Sequence, residues 1–190
     1  SQRQLWAALG QVKLISRYSD FFSEHGLVCA QVLTTKENFS SRAHYLNMKN
    51  CITTLLENKV IPIVNENDTI SVTELMFTDN DELSGLMASM VNSEALILLS
   101  NVDGVYNSHP QSKNAELINK IEVAEKELEN AISGEQSNFG RGGMLTKFRI
   151  AKKVAGDGIG VHIANGSSEN ILVDLLDTKK DLQHTFFVPN

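Results

Sequence analysis

Short β-branched runs alternate with amphipathic helical stripes along almost the whole chain, and this alternation limits the folds open to it. Residues 27–33 (LVCAQVL), 60–64, 95–99 (ALILL), 159–164 and 185–188 read as strands, those at 60–64 and 95–99 as buried ones. Between them, apolar residues recur at helical spacing. Leu5, Leu9, Val12, Ile15 and Phe22 mark a helix over 4–24, and Gly26 suits the left-handed position after it. Tyr45, Met48, Ile52, Leu55 and Leu56 mark a second, which Ser40 or Ser41 can cap. Leu83, Leu86, Met87 and Met90 mark a third over 81–91, and Met144, Phe148, Ala151 and Ala155 a fourth. Residues 169–176 form a short helix, and 123–132 have the charge density of a solvent-facing one. Segments 34–41 and 107–114 read as loops. Repeated strand–helix units pack as parallel strands joined by right-handed crossovers, with helices on both faces. The expected class is therefore α/β, a three-layer αβα sandwich with a mainly parallel central sheet.

Composition narrows the functional classes. A length of 190 residues suffices for one domain with a substantial core, and 42% hydrophobic with 21% charged residues is globular. The net charge of −6 and the lack of a long basic run disfavour a broad nucleic-acid-binding face. No stretch approaches a membrane span or resembles a signal peptide. Cys29 and Cys51 lack zinc-ligand spacing; they are expected as buried free thiols in a reducing, cytoplasmic setting. Ser1 opens directly into a helical pattern without an initiator Met, so the chain as written is expected to start inside a larger sequence.

Chemistry concentrates in three places. The strand at 60–64 releases Asn65-Glu66-Asn67-Asp68 at its C-terminal end, where open α/β sheets place ligand groups. About a dozen residues later Asp79-Asn80-Asp81-Glu82 opens a helix. Either cluster alone reads as a turn or a helix cap; together they read as a site for one small polar molecule. The third place is 138–147, NFGRGGMLTK. Glycines let backbone approach a ligand, and a helix N-terminus offers free N–H groups and positive potential. Lys147 lies one turn into that helix and Arg141 adds a second cation, which suits phosphate, although the stretch is neither a Walker sequence nor GxGxxG.

Several segments, in order, resemble the amino acid kinase family, and within it the branch that phosphorylates the side-chain carboxylate of glutamate. Residues 4–11 (QLWAALGQ) are similar to its QLLAAVGQ helix, 42–47 (RAHYLN) to RxxYLN, and 60–68 to its (I/V)P(I/V)(I/V)NEND strand and loop. Residues 78–84 match GDNDxLS apart from Thr78, 98–106 resemble LLTDxxGLY, and 140–147 resemble GTGGMxTK. The resemblance covers nearly the whole chain. It implies that Asp68 and Asn80 bind glutamate at its α-amino end, with Asn65 and Asp79 assisting. It implies that Asp81 orients two catalytic lysines, of which Lys147 is one. Ser100, Asn101, Arg141, Gly142, Gly143, Met144, Leu145, Thr146 and Lys147 would form the ATP site, with Mg²⁺ carried by the nucleotide and no metal ligated by dedicated protein residues.

The implied reaction is ATP plus L-glutamate giving L-glutamyl 5-phosphate and ADP, the opening of proline biosynthesis. Its nucleophile is an already ionised carboxylate, so no general base is needed. His25, His44, His109, His162 and His184 accordingly read as structural. Asn101 stands where the family often has Asp, and Arg141 where Thr is usual. The family's other lysine, in a KxG(S/T) motif, and an SGA-type glycine turn belong upstream of Ser1, in about 60 to 70 further residues or two βα units. No C-terminal RNA-modification-type domain is expected after Asn190. The resemblance further implies a cytoplasmic homo-oligomer, a dimer or tetramer, acting on small molecules rather than on nucleic acid or membrane. The alternatives are another member of the family, acting on acetylglutamate, aspartate or UMP, or a non-catalytic amino-acid sensor on the same fold.

Overall fold

In the computed structural model, which describes residues 2–71, 76–108, 110–124, 143–177 and 180–190, strands and helices alternate as the sequence pattern demands. The order is α1 (Gln2–Ser23), β1 (Val28–Thr34), α2 (Glu37–Ser40), α3 (Arg42–Glu57), β2 (Val60–Glu66), α4 (Asn80–Val91), β3 (Ala95–Ser100), β4 (Lys120–Glu122), α5 (Met144–Gly156), β5 (Gly160–Asn165), α6 (Ile171–Leu176) and β6 (Thr185–Val188). The fold is α/β. The chain divides into two compact units, Ser1–Leu83 and Ser84–Asn190, with the boundary inside α4.

The first unit holds one parallel pair, β1 with β2, in register from Val28↔Val60 to Thr34↔Glu66. Helix α1 is long because nothing in 2–23 breaks it, and it stops at Gly26, whose φ of 68° takes the left-handed turn. Its apolar stripe stays open: none of its residues is buried, and Trp6 is 67% exposed. Strand β2 is half-buried along its apolar run, not enclosed, because among the described strands it pairs only with β1. The segment 34–41 is not all loop, since α2 makes one turn there, and Ser41 heads α3 without a side-chain capping bond. Cys51 is exposed and Cys29 half-buried, so the expectation of buried thiols fails for both, although both are free. Cys51 lies on α3, whose buried side is carried by Met48 and Ile52.

The second unit has a four-stranded sheet in the order β3-β5-β6-β4. Its β3–β5 and β4–β6 pairs are parallel and its β5–β6 pair antiparallel. Strand β3 is an edge among the described strands, and only Leu98 of its run is buried, against the expectation of a buried strand. The short β4 was hidden in the sequence, because three residues give too little alternation to read. Val161, Ile163 and Phe187 face Phe148, Ala151 and Val154 of α5 in a closed apolar core, with Phe148 and Phe187 edge to face at 5.5 Å. Helix α4 approaches α5 so closely that a Cβ at Gly85 would meet Ile150 at 2.8 Å. On the opposite face of the sheet, His162 stacks on Phe186 at 4.6 Å and lies 5.2 Å from the His184 ring. Residues 125–132 of the expected helix over 123–132, and residues 138–142 of the glycine-bearing stretch 138–147, lie outside those described, as does His109.

Candidate active site

In the first unit the parallel register brings the C-terminal ends of β1 and β2 together, and there two polar side chains, Thr34 and Glu66, are buried. Buried polar groups need partners. The Thr34 hydroxyl donates to Asn38 Oδ1 at 3.1 Å, the Thr35 amide to the same oxygen at 2.7 Å, and the Asn67 amide to the Thr34 carbonyl at 2.7 Å. Glu66 Oε1 accepts from the Phe77 amide at 3.2 Å. Phe77 is itself buried, edge-on to Phe39 of α2 at 5.7 Å. The Glu66–Phe77 bond returns the chain to the end of β2. Asp68 and Asp79 each lie two residues from that bonded pair, so the two acidic clusters flank one anchor.

Each acid there has a distinct environment. Asp79 Oδ1 accepts from the Glu82 amide at 3.0 Å and caps α4, while Glu82 reaches back to the Thr78 amide at 2.9 Å. Lys36 Nζ pairs with Glu82 at 2.9 Å. Burial opposes ionisation of Glu82, but the Thr78 amide and Lys36 outweigh it and hold its carboxyl below the usual range. The second oxygen of Asp79, Oδ2, is buried and has no hydrogen-bond partner among the described residues. Asp68 pairs with Arg3 Nη2 at 2.7 Å, and Gln4 Nε2 donates to the Thr69 carbonyl at 2.9 Å, so the first turn of α1 is tied to the loop after β2. The Asn65 side-chain oxygen accepts from the Glu66 amide at 2.9 Å. Asn80 is exposed and Asp81 half-buried in the first turn of α4, where acidic groups suit the positive helix end.

In the second unit β3 and β5 run parallel from Ala95↔Gly160 to Ser100↔Asn165, so Ser100, Asn101 and Asn165 emerge at one end. The Gly166 amide donates to the Ser100 carbonyl at 2.8 Å, and the Ser100 hydroxyl leans on Asn101 Oδ1 at 3.4 Å. Asn165 Nδ2 donates to Asp103 Oδ1 at 3.0 Å, and the Tyr106 hydroxyl to Asp103 Oδ2 at 3.1 Å. Burial raises the Tyr106 pKa, with the Asp103 hydrogen bond and charge adding to it. Gly104 has to be glycine, because a Cβ there would run into the Thr185 hydroxyl and amide, and that hydroxyl accepts from the Val105 amide at 2.8 Å.

Helix α5 reaches β5 through the short turn at 157–159, so it runs antiparallel to the strand. Its first turn therefore lies at the end of the sheet where Ser100 and Asn165 emerge. Gly143 heads the helix in an extended conformation, and its carbonyl accepts from the Thr146 amide at 2.9 Å and the Lys147 amide at 3.3 Å. No acidic residue stands in that first turn. The helix N-terminus is thus fit for an anion, with Lys147 half-buried on its first turn. Ser100, Asn101, Gly143, Met144, Leu145, Thr146 and Lys147 share this end; Arg141 and Gly142 lie outside the described residues.

Arg3, Lys36, Asp103 and Asn165 were not singled out from the sequence, and Glu66 and Glu82 were read only as members of their clusters. The Asp79-x-x-Glu82 spacing is a capping-box signal that flags Glu82, and a Glu between strand and turn flags Glu66. Arg3 meets Asp68 from 65 residues away, and Asn165 meets Asp103 from 62, so neither pairing has a local signal.

Comparison with known proteins follows the same pattern. The sequence profile of the amino acid kinase family matches residues 1–165. The chain is 62% identical over 189 residues to a glutamate 5-kinase of Bacteroides thetaiotaomicron, spanning 100% of this chain and 52% of that protein. It is 53% identical over 170 residues to the glutamate 5-kinase of Chlorobaculum tepidum, spanning 90% of this chain and 46% of the relative. The Clostridium acetobutylicum glutamate 5-kinase is 39% identical over 189 residues, 99% of this chain and 70% of its own. The chain thus spans about half the length of the first two curated relatives. Among solved structures, an isopentenyl phosphate kinase superposes with a TM-score of 0.64 at 19% identity, covering 93% of this chain and 66% of its own. A carbamate kinase from Giardia lamblia bound to AMP-PNP gives 0.55 at 21% identity, over 75% and 44%. At those identities the two structures speak for the fold alone.

Proposed function

Because the chain belongs to the amino acid kinase family, we propose that it carries the glutamate-binding and most of the nucleotide-binding residues of an ATP-dependent glutamate 5-kinase. The carrying observation is Asp79. One carboxylate oxygen caps α4 and the other is buried without a partner among the described residues, an acceptor set for a donor such as an α-ammonium. An unpaired buried acceptor costs on the order of 1–3 kcal/mol, which a bound ammonium would recover. The identity to named glutamate 5-kinases supports the same substrate.

In this reading Asp68, Asp79, Asn80 and Asn65 hold the amino-acid end of glutamate and leave its side-chain carboxylate free to attack. The attacking group is ionised at neutral pH, so the protein supplies alignment and positive charge rather than a base. The open N-terminus of α5 and Lys147 receive the phosphates and stabilise charge on the transferring group. Ser100, Asn101, Arg141, Gly142, Gly143, Met144, Leu145 and Thr146 complete the nucleotide contacts, and Asp81 takes the role of orienting acid that the family resemblance implies. The donor set suits a nucleotide-borne Mg²⁺: Asp103 is engaged by Asn165 and Tyr106, and Glu82 by Lys36 and Thr78. Bound there, Mg²⁺ would neutralise phosphate charge while keeping several waters.

The proposal extends to the catalytic domain spanning residues 1–190, to a cytoplasmic homo-oligomer, and to the first step of proline biosynthesis. Among the described residues no helix is long and apolar enough to cross a membrane. The test is ADP release by the intact protein with ATP and, in turn, glutamate, acetylglutamate, aspartate and UMP. Turnover of glutamate alone is expected. Preference for another acceptor would overturn the reading, and glutamate binding without turnover would turn it into that of a sensor.

A further inference from the structure

Arg3 and Gln4 fasten the first turn of α1 to the loop after β2, and the Arg3 bond is chemically out of place. A cation at the positive end of a helix is disfavoured, yet Arg3 stands there, with no acidic residue in that turn to offset it. Among the described residues it is held by Asp68, through a contact from Nη2 at 2.7 Å. A guanidinium has five donors in a planar fork suited to carboxylates. The Arg3 side chain is 54% exposed, so much of that fork faces solvent. The neighbouring bond, Gln4 Nε2 to the Thr69 carbonyl at 2.9 Å, fixes where the fork stands.

An α-amino acid presents an ammonium and a carboxylate on one carbon. Asp68 and Arg3 present the complementary pair of charges in direct contact. We propose that Arg3 is the specificity residue for the α-carboxylate of the substrate, acting beside Asp68 as a clamp for the zwitterion. This rests on the glutamate reading of the Asp68 loop and adds a residue to it. An exposed ion pair holds its side chains weakly, so the guanidinium can turn from Asp68 to the incoming carboxylate while the ammonium takes its place. Such a clamp rejects acceptors that lack either group, since the partner left behind stays unpaired.

The intact protein is assayed with glutamate, and with 4-aminobutyrate (no α-carboxylate) and glutarate (no α-amino group) as competing ligands. Arg3→Ala should weaken glutamate and glutarate by about 10- to 100-fold, the range of a charge-assisted hydrogen bond, and leave 4-aminobutyrate nearly unchanged. Its KM for glutamate should rise more than its kcat falls, and Arg3→Lys should recover part of the loss. Gln4→Ala cuts the other bond of the same turn and should keep the wild-type ranking of the three ligands, which separates recognition from a loosened helix. Equal weakening of all three ligands by Arg3→Ala, or tighter glutamate binding, would overturn the clamp while leaving the kinase reading intact. A wild-type protein that neither binds nor phosphorylates glutamate would overturn both.

Discussion

The two units are held together by different physics. The second, from Ser84 to Asn190, is built on apolar closure: Val105, Ile121, Phe148, Val161, Ile163 and Phe187 have no exposed surface. The first, from Ser1 to Leu83, buries few apolar side chains, chiefly Met48, Ile52, Phe77 and Leu83, and leaves Leu5, Trp6, Leu9 and Val12 of α1 open. Order at its polar end comes from directed bonds: Glu66 to Phe77, Asn38 to Thr34 and Thr35, Glu82 to Thr78 and Lys36, and Asp68 to Arg3. Packing tolerates little change of volume, whereas a hydrogen-bonded loop is sensitive to the loss of a single acceptor. The proposed glutamate residues sit on the bonded unit. Helix α5 with Lys147 and the strand ends with Ser100 and Asn101 sit on the packed one.

That contrast breaks most visibly in the packed unit. Phe187→Ala should destabilise it by about 3–5 kcal/mol, because a ring stacked edge to face on Phe148 leaves a cavity that rigid neighbours cannot fill. Denaturant unfolding of the intact protein measures this, and a loss under about 1 kcal/mol would mean the core is looser than described. Lys147→Ala should keep that stability and lower kcat by on the order of 10²–10³, while glutamate binding stays near wild type. A normal kcat with a raised KM for ATP would make Lys147 a nucleotide clamp instead.

In the bonded unit, Glu66→Leu leaves the Phe77 amide buried without its acceptor, at a cost of about 1–3 kcal/mol. Its clearest effect should be a higher KM for glutamate, because the loop between the two acidic clusters loses its anchor. Glu66→Gln, which can still accept, should recover much of this. The smallest effect concerns pH and the second unit. Burial, with His184 beside it, pushes His162 from 6.5 down to about 4, and its Nδ1 is buried without a partner among the described residues. Between those values the unfolded chain binds the proton and the folded chain resists it, so stability should fall as pH drops from 6.5 toward 4. His162→Phe should flatten that slope; an unchanged slope would assign it to other groups.

Much of the fold was legible because alternation and helical spacing are local. The bounds of α4, α5 and β6 fall within a residue of the pattern, while α1 starts two residues early and ends one short. What escaped was nonlocal or short. The antiparallel β5–β6 pairing cannot be read from either strand alone, and β4 has three residues. Burial was overread for β2, β3 and both cysteines, since apolar composition does not say which strand has neighbours. In the site, the acidic clusters around Asp68 and Asp79 were legible as clusters, and the capping role of Asp79 as a spacing. The orphan oxygen of Asp79, the buried Glu66 and the Arg3 contact became visible only when residues 65 or 11 positions apart met.

The central claim is that the loop after β2 holds the amino-acid end of glutamate, and Asp68 tests it most directly. Two-substrate steady-state kinetics on Asp68→Ala in the intact protein should show the KM for glutamate rising far more than the KM for ATP, because a carboxylate facing an ammonium serves one substrate only. Equal changes in the two constants, or a change confined to ATP, would contradict the account.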